Sequence, residues 1–555
     1  MEKWYDKAVF YHIYPLGLCG CAKQNDGVTE ENHFEQLNEW IGHIKKIGCT
    51  GIYIGPLFES VGHGYETTDY KRVDRRLGTN EDFKEYVKKC HDTGMKVIVD
   101  GVFNHTGREF FAFKDIKENR ENSRYRDWYC NVNFYGNNEY NDGFSYDNWG
   151  GYNLLVKLNQ RNPEVKDYIY DVIRFWVSEF DIDGIRLDAA DVLDFDFMKG
   201  LRHVANEVKP DFWLMGEVIH GDYGRWANAD TLHSVTNYEL HKGLFSGHND
   251  HNYFEIAHTV QRLQGICGDV KLYTFIDNHD VARIYNKLNN KAHLYPVHLL
   301  LYGLPGIPSI YYGSEFCIEG AKEKNSDDSL RPHLDLADYK HAYEDNNITK
   351  LIIRLGQIHK EYKELAYGRY QQLLLTNRQY VFGRILDHSA IIVAVNNDDN
   401  PSEVTIDLPI AANKAIDLLK VKPKTPEEEE QERLLLGEKQ KEAAEKRQKE
   451  SVEVAKSAEE SVEILLEKIK LAADKAGQLI DNEEEAVHST EIALMAAKEA
   501  VAKVEALYRA EGMQIEPEGG NHENVGTDCE IALNGNRLTI KMDGNRGTMI
   551  RIYKE

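Results

Sequence analysis

The strongest constraint on this chain is a regular alternation, from about residue 11 to residue 313, of short apolar runs with helix-periodic stretches. Eight runs stand out, at 11–15, 51–56, 96–102, 184–188, 212–218, 234–238, 272–277 and 309–313. Apolar runs of strand length alternating with helical patterns are the mark of parallel βα units, and eight is the number that closes a (β/α)8 barrel. One separating stretch, "NEDFKEYVKKCHDTG" at 80–94, starts on an asparagine cap and stops at a glycine. The long interval after the third run is rich in Asn, Tyr, Trp and Gly and lacks helical period. It predicts a small excursion domain over 105–160 that divides the barrel into 1–104 and 161–367.

Beyond a helix at about 347–366 the texture becomes strand-like, with "QYVFGRIL", "AIIVAVNN" and "EVTIDLP" and, at the end, "NRLTIKM" and "GTMIRIYK". The expectation is a C-terminal antiparallel β-domain in two parts, 368–421 and 513–555. Between them, 422–512 is different in kind. Thr425 as cap, Pro426 at the first helical position and acids in the first turn open a long helix. Val452, Ala455, Ala458, Val462, Leu465 and Ile469 then recur at steps of three and four, and a second such run follows the polar "DNEE". The pattern predicts an inserted antiparallel helical hairpin, coiled-coil-like. Three roles stay open for it: a solvated spacer, a protein-docking or self-association arm, or a module foreign to the rest. The fold class expected is thus α/β, a TIM barrel with three appendages.

Lys and Arg total 67 against 92 Asp and Glu, a net charge of −25. That balance argues against nucleic acid or an anionic membrane as partner and for a neutral ligand. No apolar run reaches the length of about eighteen residues needed to span a bilayer, and the N-terminal stretch has no basic segment leading into an apolar one. The eight cysteines are scattered, without a CxxC pair, and read as free thiols in a cytoplasmic protein. The dinucleotide, P-loop and HExxH zinc patterns are absent from the sequence.

Chemistry gathers at the ends of the strand runs. In "GIRLD" Arg186 and Asp188 share one face and Ile185 and Leu187 the other, and Asp188 stands at the C-terminal end, where barrels place reactive groups. A guanidinium beside it is expected to lower its pKa and keep it ionised, although a structural ion pair would look the same. "FWLMGEV" delivers Glu217 behind apolar bulk, expected to raise its pKa and suit it to a general acid. "FIDNHD" adds His279 and Asp280, and "DGVFNH" adds Asp100, Asn104 and His105. Four strand ends carrying acids and imidazoles to one mouth point to catalysis. Two carboxylates in opposed environments suggest cleavage of a glycosidic bond.

"DGVFNH", "GIRLDAADV", "GEV", "FIDNHD" and "GIPSIYYGSE" resemble, in order and spacing, the short sequence regions of the α-amylase family of glycoside hydrolases, and "GYETTDY" and "LVKLNQRNPEV" look like further family segments. The resemblance covers about 5–365 and the β-type C-terminal domain, not the helical insertion. It implies that Asp188 is the nucleophile, Glu217 the acid and base, and Asp280 the carboxylate that stabilises the transition state. It further implies that Arg186 orients Asp188, that His105 and His279 bond the sugar before the cleaved bond, and that Tyr65 stacks on it. "VKLN" and "SVTNYEL" lie closer to the neopullulanase, cyclomaltodextrinase and maltogenic amylase branch. Asp191 and Val192 replace the Lys-His pair usual in true α-amylases. The expected activity is retaining hydrolysis of α-glucosidic, mainly α-1,4, bonds in short maltooligosaccharides, cyclodextrins or related glucans, with room for transglycosylation. No cofactor is required by this reading; Asn104 stands where the family often ligates calcium. The alternative is a silent barrel serving as a carbohydrate-binding or interaction scaffold through its helical arm. The aromatic-rich "DWYCNVNFYGNNEY" and "FSYDNWGGYN" suit either sugar binding or the packing of a small domain.

Overall fold

The computed structural model describes residues 2–29, 32–324, 326–421 and 529–554, together with Leu471. The helical hairpin expected at 422–512 lies outside the described residues.

All eight expected strands form, as β1 (Phe10–Ile13), β2 (Gly51–Ile54), β3 (Lys96–Gly101), β4 (Gly184–Leu187), β5 (Trp213–Gly216), β6 (Ser234–Val235), β7 (Tyr273–Phe275) and β8 (Ile307–Tyr311). Every neighbouring pair among them is parallel, in the order β6-β5-β4-β3-β2-β1-β8-β7. The ring closes between β6 and β7 through a parallel bridge from Thr236 to Tyr273 and the bond from Asn237 N to Tyr273 O, 2.8 Å.

Period-2 alternation sorts the side chains. Phe10, Tyr53, Ile98, Trp213, Met215, Tyr273, Phe275 and Ile307 form one buried cluster, with Phe10 stacked on Trp213 at 5.1 Å. Their alternates, such as Tyr11, Ile52, Val97, Ile185 and Leu214, belong to the larger core. The larger core also takes the apolar stripes of surrounding helices such as Phe34–Lys46 and Pro163–Phe180. The helix expected from Asn80 runs Asn80–Asp92, but its cap is Thr79, whose side chain accepts from Asp82 N. A threonine one residue earlier had the same capping chemistry, so the sequence left the choice open.

Between β3 and β4 a three-stranded sheet of His105–Gly107, Asn148–Trp149 and Tyr152–Lys157 joins the helix Phe111–Asn119. The C-terminal strands are β9 (Arg369–Leu375), β10 (Gln379–Leu386), β11 (Ser389–Asn396), β12 (Ser402–Asp407), β13 (Lys414–Asp417), β14 (Cys529–Asn534), β15 (Arg537–Met542) and β16 (Gly547–Tyr553). They make a five-stranded sheet, β9-β10-β11-β16-β13, and a three-stranded one, β12-β15-β14, with a core of Val381, Ile392, Leu538 and Ile550 between them. None of the eight cysteines is in a disulfide. Among the described residues no helix is long and apolar enough to cross a membrane.

Candidate active site

Asp100 and Arg186 are register partners on β3 and β4. The register sets the first contact of the site: Arg186 Nη1 donates to Asp100 Oδ1 at 2.8 Å and to Asp188 Oδ1 at 2.9 Å. Its other terminal nitrogen, Nη2, lies 2.9 Å from Glu217 Oε2. Glu217 is the first residue beyond β5 as Asp188 is beyond β4. Parallel strands in register therefore bring both carboxylates to one guanidinium, itself 3 % exposed.

The environment of Asp188 differs from the sequence expectation. Burial pushes the Asp188 carboxyl well above the ordinary carboxylate range, against the opposing pull of Arg186 and with the help of nearby Glu217 and Asp100. One guanidinium shared by three carboxylates cannot neutralise all of them, so the lowering expected from Arg186 alone is overcome. Glu217 is mostly buried and met by three donors. It accepts from Ala189 N at 3.1 Å, Arg186 and the Tyr238 hydroxyl at 3.3 Å, and Asn278 Nδ2 donates in turn to that hydroxyl at 3.1 Å. Asp100 accepts from the Tyr53 hydroxyl at 2.9 Å, and burial raises its pKa as well.

The loop after β7 supplies the other side. His279 Nε2 lies 3.0 Å from Asp280 Oδ2 and is bonded by the Tyr65 hydroxyl, with the Tyr65 and His279 rings nearly parallel at 5.8 Å. Arg331 Nη2 donates to Asp280 Oδ1 at 2.9 Å and its Nε to His279 O at 3.0 Å. Burial works to raise the Asp280 carboxyl, but His279, Arg331 and Arg186 outweigh it and hold it well below the ordinary range. His105 is 1 % exposed, and burial pushes it down to about 4, so it is a neutral imidazole at physiological pH. His105 Nε2 and His279 Nδ1 are buried without a hydrogen-bond partner among the described residues.

Arg186 thus joins Asp188 to Glu217, His279 joins Tyr65 to Asp280, and Asn278, which donates to Tyr238 and accepts from Asp280 N at 2.9 Å, links the two sets. Asn104 is buried beside His105, with its Nδ2 3.3 Å from His105 Nδ1 and its Oδ1 accepting from Gln160 Nε2 at 3.3 Å. Calcium takes six to eight oxygens, and among the described residues no group of three or more His, Cys, Asp or Glu is placed to hold a metal ion. Asn104 offers one oxygen toward that number, already bonded by Gln160, and no step below passes through a metal. Sequence reasoning missed Arg331 and Tyr238. Tyr238 could have been found in "SVTNYEL", since it ends the sixth strand run; Arg331 lies in an irregular polar segment with no periodic signal.

Chemically, the arrangement offers a buried carboxylate on one guanidinium, a second carboxylate hydrogen-bonded beside it, a third held ionised, and an aromatic-imidazole wall. A family model described as alpha amylase, catalytic domain, matches residues 34–352. A cyclomaltodextrinase of Thermoanaerobacter pseudethanolicus is 30 % identical over 419 residues, covering 71 % of each chain. Neopullulanase 2 of Thermoactinomyces vulgaris is 28 % identical over 443 residues, 74 % of this chain and 73 % of the other. Among solved structures, the debranching enzyme of Nostoc punctiforme superposes with a TM-score of 0.66 at 27 % identity, over 76 % of this chain and 95 % of that one.

Proposed function

Since the chain belongs to the alpha-amylase family of glycoside hydrolases, we propose that it hydrolyses α-glucosidic bonds, mainly α-1,4, in short maltooligosaccharides, cyclodextrins or related α-glucans, with retention of configuration. One observation carries the reading: Asp188 and Glu217 are held by the two terminal nitrogens of a single buried guanidinium. Carboxylates drawn that close support the shorter separation of about 5 to 5.5 Å that a covalent, retaining mechanism needs.

In this reading the Asp188 carboxylate attacks the anomeric carbon as the Glu217 carboxyl protonates the departing glycosidic oxygen. The C–O bond breaks and a glycosyl-aspartate ester forms. Glu217, now ionised, takes a proton from water, whose oxygen displaces Asp188 and restores the α-configuration. A sugar hydroxyl in place of that water gives transglycosylation. Asp280, kept ionised by His279 and Arg331, bears on the sugar hydroxyls and the cationic character of the transition state. Tyr65 offers its ring to the sugar face, and the unpartnered nitrogens of His105 and His279 accept or donate to its hydroxyls. Eight cysteines outside any disulfide support a place in the reducing cytoplasm. For residues 422–512 the proposal is a contact with a protein partner or a second copy of the chain, tested by activity and assembly state after deleting 425–510.

The primary test is product analysis on maltotriose, cyclodextrin, pullulan and starch, with Asp188→Asn as control and the anomer followed by NMR. Turnover that yields the α-anomer first and disappears in the variant supports the reading. A β-anomer overturns retention, and an inert intact protein overturns the enzyme reading in favour of a scaffold.

A further inference from the structure

The aromatic side chains of the lobe between β3 and β4 divide by their surroundings. Trp128, Tyr129, Phe144 and Tyr146 are buried. Phe113 meets Tyr129 and Tyr146 edge-on and lies tilted against Phe144, so these rings build the lobe's own core. Tyr135, Tyr140, Trp149 and Tyr152 stay open. Tyr140 is occupied by the Arg108 guanidinium, 3.8 Å above its ring, and Tyr135 is fully exposed. Trp149 is placed differently: 39 % exposed, with its ring centroid 6.1 Å from that of His105.

Its support is rigid. Trp149 and Tyr152 pair across a Gly150-Gly151 turn in which both glycines have positive φ, 62° and 86°, a conformation other residues rarely adopt. Asn148 fastens the turn, accepting from Gly151 N at 3.0 Å and donating to Asn153 Oδ1 at 2.8 Å. The arm Tyr152–Lys157 then pairs in register with His105–Gly107. The indole is delivered to its position through this middle arm, which pairs on one side with Asn148–Trp149 and on the other with the strand that carries His105. A half-open indole beside a buried imidazole with an unpartnered nitrogen offers an apolar face and a polar tip together. A pyranose ring presents the complementary pair, C–H groups on its face and hydroxyls on its edge.

We infer that Trp149 is a stacking platform for the glucosyl unit adjoining the one undergoing cleavage, on the side of His105. This rests on the reading of the Asp188–Glu217 site as a glycosidase centre. It makes Trp149 a determinant of chain-length preference: substrates with a second unit on that side gain from it, and a single glucosyl unit on an aryl leaving group does not.

The test compares full-length Trp149→Ala, Trp149→Phe and, as an exposed aromatic control, Tyr135→Ala. Each is assayed on maltoheptaose and on an aryl α-glucoside, with maltoheptaose affinity measured in the Asp188→Asn background. Loss of the platform is expected to raise KM and Kd for maltoheptaose about tenfold, with kcat little changed. Activity on the aryl glucoside should hold, Trp149→Phe should recover most of the loss, and Tyr135→Ala should match the parent. Equal losses on both substrates, or unchanged maltoheptaose affinity in Trp149→Ala, overturn the inference while leaving the glycosidase reading intact. If the intact protein turns over neither substrate, that reading fails separately, and the affinity comparison still decides whether Trp149 binds a glucan.

Discussion

Arg331 Nη2 lies 2.9 Å from Asp280 Oδ1, so a residue well beyond β8 fixes a carboxylate delivered by the loop after β7. The same side chain bonds His279 O, reaches Asp327 at 3.3 Å, and lies 4.7 Å from the Tyr14 ring centroid. Four contacts make it a fixed strut. Arg331→Ala is expected to lower kcat/KM by roughly ten- to a hundredfold, the range of about 1.5 to 3 kcal/mol for a charged hydrogen bond. Arg331→Lys keeps the charge but not the second bond and should fall between. Steady-state kinetics of both variants check this; equal losses would make the charge irrelevant and leave geometry alone.

The pairing of Asp188 with Glu217 has a pH consequence. Asp188 must be ionised to attack, and burial raises its folded-state pKa, with Glu217 adding repulsion. The acid limb of kcat/KM should therefore lie above the ordinary carboxylate range and belong to the pair rather than to either group. Glu217→Gln removes one interacting charge. On an aryl glycoside whose leaving group departs without protonation, that variant should retain activity and show its acid limb at lower pH. A limb that stays in place or moves up would assign the titration elsewhere.

The strand skeleton of the barrel was legible in the sequence because each strand is a short apolar run with turn residues at its edges. Ile185, Arg186, Leu187 and Asp188 even announced which face each would take. β9, β13 and β14 were not legible. Arg369–Leu375 mixes a polar start with half-buried leucines, Lys414–Asp417 has four residues, and Cys529–Asn534 alternates weakly; their pairing partners define them. In the site, the groups at strand ends were visible and their electrostatics were not. The sequence shows Arg186 beside Asp188, but only the β3–β4–β5 register reveals that Asp100 and Glu217 share the same guanidinium. Arg331 is a contact of tertiary origin alone.

At the opposite end of β4, Asp183 is nearly fully buried and is bonded by His91 Nε2 at 2.7 Å, Lys96 Nζ at 2.8 Å and Val97 N at 3.0 Å, with Lys209 Nζ at 2.9 Å. Burial opposes ionisation, but these donors prevail and hold its carboxyl well below the ordinary range. A folded-state pKa below the unfolded value stabilises the fold above the unfolded pKa and ceases to do so as pH falls through the folded one. Asp183→Asn should then cost on the order of 2 kcal/mol at pH 7, part of the Coulombic gain being screened at the partly exposed lysines. Thermal melts should show the gap from the parent holding from neutrality to about pH 5 and narrowing as pH falls below about 4. A gap independent of pH would point to lost packing instead.

Gly356 sits inside the helix Asn347–Glu361, where alanine ordinarily improves on glycine by about 1 kcal/mol. Here the sign should reverse. A Cβ at Gly356 would stand 2.3 Å from Ile47 O and 2.8 Å from Gly48 Cα, and one at Gly48 would meet the Gly356 backbone at 2.6 Å. Both obstacles are main chain, so no side chain can rotate away, and the two backbones must separate. Overpacking of this kind costs about 1 to 3 kcal/mol. Gly356→Ala is expected to lower the melting temperature by about 2 to 6 °C, while kcat measured well below that temperature stays at the parent value, because neither residue reaches the carboxylates. An unchanged or higher melting temperature would mean that the end of the helix Phe34–Lys46 yields more readily than its contact with Gly356 implies.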